Sequence, residues 1–210
     1  MTRAQKLRVG AGLTEDVARR AIYVDTQGVQ GALPVVLGTL VEQRLDQVVF
    51  DTDFADAALA KELRISSVEA EAQSLLQLAQ AEGRFVVGFS PRSLMMMAAQ
   101  AEVDGLRSVF HDVQQVATDW GERHGTVSKP GPSLGSLLRL VGRDCPPGLD
   151  GKTTTKRLRD VRAMIQARGS YDALTPVAKG KWTKLLLQNR ARCEGMRALL
   201  LALVEQAAVV

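Results

Sequence analysis

Few side chains in this sequence could work on a metal ion or a scissile bond, and the acidic ones stand in short groups. Asp25 lies in AIYVDTQG with Gln27 two residues on, Asp51 and Asp53 alternate in FDTD, and His111 precedes Asp112 in VFHDV. Carboxylate oxygens are the ligands of hard divalent cations, and two-metal hydrolysis needs several of them around one point. If the Asp51/Asp53 and His111/Asp112 pairs both faced Asp25, a metal site could be assembled. The plainer reading makes Asp51 and Asp53 strand-end and helix-capping residues, and His111 a surface or internally satisfied histidine. Met95, Met96 and Met97 read as core filler on an amphipathic helix. Cys145 and Cys193 have no CxxC spacing, so neither a zinc site nor a disulfide framework follows. The sequence contains no G-x-S-x-G elbow, no H-E-x-x-H pair and no phosphate loop. GKTTT at 151–155 lacks both the earlier glycine and the preceding strand that such a loop requires.

Strands and helices must position these residues, and the hydrophobic period shows where they fall. AIYVD, LPVVLGTLVEQ and DQVVFDTD are apolar, β-branched runs, which predicts three strands, with turns at Gly28 to Gly31 and at Asp46 making them antiparallel neighbours. From 53 to 82 the period becomes helical, with Ser66 or Ser67 as N-cap and Gly83 as terminator. FVVGF at 85–89 reads as a central buried strand, and a helix should follow from Pro91. LRSVFHDVQQVATDW suggests a short strand passing into a helix. The loop GTVSKPGPS leads to a helix capped by Ser133, and RDCPPGLDGKTTT is a second loop. Helices over roughly 153–168 and 176–205 should complete the chain, the last broken near Gly180. Residues 1–20 read as an arm, and 21–210 as one domain.

Composition narrows the function. The 210 residues are 46% hydrophobic and 24% charged, the balance of a globular domain, and only 4% are aromatic, which argues against a base-stacking platform. Residues 152–197 hold twelve basic side chains against three acidic ones, a net +9 that leaves −5 for the rest of a chain whose total is +4. Such asymmetry fits a polyanion-facing surface, and equally a set of solvated helices. With no secretory signal and no apolar run long enough to span a bilayer, a cytoplasmic protein is the default expectation.

Three segments in order, AIYVDTQG, FVVGFSPRSLMMM and LLLQNRARCEGMRALL, resemble the active-site motifs of the RNase H-like 3′ to 5′ exonucleases with four acidic residues, nearest the branch that accompanies RecB-like nucleases. PSLGSLLRLVG and KGKWTKLLLQN resemble the framework around the third motif. The resemblance implies an RNase H-like α/β fold: a central mixed sheet with three antiparallel N-terminal strands, flanking helices and a helical C-terminal third. It also implies a cluster of four carboxylates. Asp25 fits the first position, but Gln27, Met95 and Arg192 stand at the other three, and Gln188 at the family's tyrosine. Gln27 brings no charge, a thioether is ignored by a hard cation, and Arg192 puts a cation where a ligand would sit. The expectation is a pseudo-nuclease without metal or other cofactor, in which Arg192 lies near Asp25. Nucleic acid would be held through Arg157, Arg168, Lys184, Arg190 and Arg192, and a larger protein complex would form through an apolar C-terminal helix around Leu199, Leu200, Leu203 and Val204. A scaffold without nucleic-acid contact, and an active nuclease with a shifted site, stay open as alternatives.

Overall fold

The computed structural model describes residues 8–9, 12–29, 32–125, 131–147, 149 and 154–208. Gly31, the middle of the GTVSKPGPS loop, Lys152 and the start of GKTTT lie outside the described residues. Strands β1 (Arg8–Val9) and β2 (Gly12–Leu13) form a small parallel pair ahead of helix α1 (Glu15–Arg20). Then come β3 (Ile22–Gly28), β4 (Pro34–Val41) and β5 (Arg44–Val49), a 3-10 turn at Thr52–Phe54, α2 (Ala55–Leu59), β6 (Arg64–Ile65) and α3 (Val68–Glu82). β7 (Val86–Gly88), α4 (Arg92–Gln100), α5 (Leu106–Val109), β8 (Phe110–Asp112) and α6 (Val113–Arg123) follow. The C-terminal third is helical: α7 (Leu134–Leu140), α8 (Thr154–Arg168) and α9 (Pro176–Ala207).

The fold is mixed α/β, with the six-stranded sheet ordered β6-β5-β4-β3-β7-β8. β3, β4 and β5 are antiparallel neighbours, whereas β7 runs parallel to β3, and β8 to β7. Both faces of β3 are covered, so it alternates between two cores. Ile22 and Val24 join α3, α4 and α5 on one face, and Tyr23 joins α1, α6, α7 and α9 on the other. A third cluster, centred on Trp182 and Phe54, ties α8 and α9 to the end of the sheet.

Several local expectations are met by specific bonds. The Ser67 side chain accepts from the Ala70 N–H at 3.1 Å, Gly83 ends α3 in the left-handed region at φ 61°, and Ser133 caps α7. Others are corrected. The β4–β5 turn is at Glu42–Gln43, not at Asp46: pairing Leu40 with Leu45 and Val41 with Arg44 keeps apolar side chains on the buried face, so β5 starts earlier. α9 runs unbroken through Gly180, because Ala178 and Trp182, buried on either side, outweigh a glycine's cost of about 1 kcal/mol. Residues 12–20 are no arm: Leu13 and Ala18 are buried in the main core, and the Tyr23 hydroxyl donates to the Ala18 carbonyl at 2.5 Å. The apolar end of α9 has no broad exposed face, since Leu199, Leu200 and Leu203 are fully buried and Leu201 and Val204 are half-buried against the same core. No helix among the described residues is long and apolar enough to cross a membrane.

Candidate functional site

Asp25 sits midway along β3, opposite Gly38 of β4 and one residue beyond the last pair with β7. Its side chain points toward α9 and is 6% exposed. A buried carboxylate needs compensation, and here every direction supplies it. Arg192 Nε donates to Oδ1 at 2.6 Å, Gln27 Nε2 donates to Oδ2, and Asn189 Nδ2 donates to Oδ2 at 3.0 Å and to the Asp25 carbonyl at 2.8 Å. The Arg192 guanidinium also lies 5.6 Å from the centre of the Phe89 ring, a cation–π contact.

Asn189 is the pivot. Its Oδ1 accepts from Gln47 Nε2 at 2.7 Å, and Gln47 also donates to the Leu186 carbonyl at 3.0 Å, so one buried amide joins β3, β5 and α9. It reaches Asp25 because Gly38, the cross-strand partner of Asp25, has no side chain: a Cβ there would overlap the Asn189 amide. Sequence reasoning passed over both residues, although a glycine inside the apolar run PVVLGTLV signals a close approach. Cys193, one residue beyond Arg192, is buried with Sγ 3.6 Å from the Gly38 carbonyl, and burial raises its thiol well above the ordinary range. A thiol held neutral in this way is no nucleophile.

A cleft of about 120 Å³ opens over Asp25, lined by Thr26, Phe89, Ser90, Leu94, Phe110 and Arg192. On α4, Leu94 lines this cleft and Met95 does not, although both belong to the apolar cluster that includes Val24 and α3. A second cleft of about 260 Å³ adjoins it at Thr26 and is bordered by Gln27, Arg92, Thr154 and Thr155. Of the four motif positions, Asp25, Gln27 and Arg192 converge and Met95 does not.

The remaining acids serve structure. Asp51 caps the turn that follows β5, accepting from the Asp53 N–H at 3.0 Å, and both carboxylates pair with Arg162. Asp112 Oδ1 caps α6 through Gln114 N at 2.9 Å and also holds Ser90 N at 3.3 Å, next to the cleft. His111 is not on the surface: it is buried edge-on against Phe85, its Nε2 has no hydrogen-bond partner among the described residues, and burial pushes its pKa down from 6.5 to about 4. Among the described residues no three of His, Cys, Asp or Glu gather as metal ligands. The donor set around Asp25 does not suit a pair of Mg²⁺ ions, because its one carboxylate is already saturated by a guanidinium and two amides.

The basic residues divide into two groups. Arg157 Nη1 donates to Gln188 Oε1 at 2.9 Å, Lys181 pairs with Asp160 at 2.5 Å, and Arg162 and Arg192 are engaged as described. Arg168, Lys184 and Arg190 are exposed, the latter two on the outer stripe of α9 together with Val177 and Leu187, which are 73% and 56% exposed. Compared with protein-family models, curated proteins and solved structures, the chain matches none.

Proposed function

We propose that this chain is a degenerate RNase H-like exonuclease domain that holds nucleic acid without hydrolysing it, within a larger nucleic-acid-processing assembly. The observation that carries the reading is the 2.6 Å pair between Arg192 and Asp25: at the resemblance's last acidic position a guanidinium supplies the positive charge that a metal would otherwise bring. The architecture is compatible with it. Three antiparallel strands open a mixed sheet, Asp25 lies on the first of them, and the last third of the chain is helical. Arg192 lines the cleft with its side chain about a quarter exposed, and Arg168, Lys184 and Arg190 are exposed cations for phosphate contact.

A scaffold without nucleic-acid contact is the second reading. It is favoured by Arg162 and Arg192, whose charges pair with Asp51, Asp53 and Asp25 from outside the segment, so that the net +9 overstates its outward face. A salt titration separates the two. Single-stranded and duplex oligonucleotides should bind with log K falling steeply and linearly against log salt, and neutralising Arg168, Lys184 and Arg190 to Ala should flatten the slope by about three ion equivalents. Absence of binding at low salt supports the scaffold.

A further inference from the structure

At the sheet edge remote from β8, β5 is only half covered. β6 pairs with Val48 and Val49 alone, and the Val49 carbonyl accepts from Ser66 N at 3.2 Å while Phe50 N donates the other way, to the Val35 carbonyl at 2.9 Å. Main-chain groups of successive strand residues point to opposite sides. Leu45 and Gln47 therefore share the outward direction of Val49; the Val48–Arg64 register engages the Gln47 carbonyl with Arg64 N, while the Leu45 N–H and carbonyl and the Gln47 N–H have no strand partner there among the described residues. Two N–H donors and one carbonyl acceptor stand in a row at this edge, which is a template for an added strand.

The flank of this edge has its own chemistry. A cleft of about 460 Å³ lies between the sheet and α3, floored by Val41, Leu75 and Leu78 and rimmed by Arg44 and Arg64. Arg64 is saturated by Asp46 at 2.6 Å and Glu71 at 3.0 Å. Arg44, exposed on the same face, has no carboxylate partner among the described residues.

The geometry points to an extended peptide as the occupant: a partner segment that adds a strand to Leu45–Gln47, sets a carboxylate beside Arg44 and lays an apolar side chain over Leu75 and Leu78. A second copy of the chain fits worse. Antiparallel self-pairing that matches Leu45 with Gln47 sets Asp46 opposite Asp46, a like-charge pair, and β6 stops the ladder at Val48. The inference does not rest on the proposed function, although the Gln47 side chain joins this strand to the Asp25 network through Asn189.

The test uses a fluorescein-labelled peptide of alternating valine and glutamate, eight residues long, with anisotropy and amide hydrogen exchange as readouts. Saturable binding that protects the Leu45 and Gln47 amides, and that is lost when alternate peptide amides are N-methylated, is expected. Arg44→Glu should weaken this peptide on the order of fivefold and favour its valine–lysine counterpart. Because the N-methylated peptide leaves the protein untouched, a folding defect cannot mimic its effect. No binding, binding indifferent to N-methylation, protection elsewhere, or a concentration-dependent dimer that protects these same amides would each overturn the proposal.

Discussion

Three side chains from two elements meet the buried Asp25, and the consequences of removing any one differ in kind. Arg192→Ala leaves the carboxylate without its cation, which should destabilise the fold by about 2–4 kcal/mol in urea unfolding. Asp25→Asn in that background should recover much of the loss, since the neutral amide no longer needs the guanidinium. Gly38→Ala drives a methyl group into the Asn189 amide and should cost about 2–3 kcal/mol, whereas the exposed Lys184→Ala should change stability by less than about 0.5 kcal/mol. His111 sets the acid limb. Its folded pKa near 4 lies below the unfolded 6.5, so the unfolded chain takes up the proton first. Its contribution is intact above 6.5 and falls away as pH drops toward 4, by up to about 3 kcal/mol. Chemical denaturation from pH 7 to 4 should show that loss in the parent and a flatter profile in His111→Phe. At this scale the sequence pointed to Asp25 and Arg192 as neighbours through motif resemblance. It was silent on Asn189 and Gln47, because amide networks leave no periodic trace.

The elements were legible wherever a period ran long or a cap was explicit. β3, β4, α3 and α7 follow from alternation, from Ser67 and Ser133, and from Gly83. The failures are those of short or context-driven pieces. β6 has two residues and exists through its pairing with Val48 and Val49. α1 is held by burial of Ala18 and Leu13 rather than by its own polar sequence EDVARR. α9 overrides Gly180 because its flanks are buried, and the residue's own surroundings are empty: a Cβ would meet nothing within 4 Å. Gly180→Ala should therefore raise stability by about 0.5–1 kcal/mol without changing the structure, as read from the urea midpoint and the far-ultraviolet spectrum.

For the whole molecule, the sheet forms a wall between two helical layers, and the groups that could act on a ligand lie in two adjoining clefts that meet at Thr26. Asp25 and Arg192 sit in one cleft, and Arg92, Thr154 and Thr155 in the cleft beside it. Chain-wide charge counting found the basic segment but could not tell engaged from free cations, because ion pairs such as Lys181 with Asp160 span twenty or more residues. The proposed loss of catalysis rests on Asp25 being held by Arg192 instead of by a metal ion. Titration of the purified protein with Mn²⁺, followed by the loss of the free-ion electron paramagnetic resonance signal, tests this at the site itself, with Asp25→Ala as the control. Identical titration curves for parent and Asp25→Ala, with no saturable site that depends on Asp25, are the expected result. Saturable Mn²⁺ binding in the parent that disappears in Asp25→Ala would contradict the account.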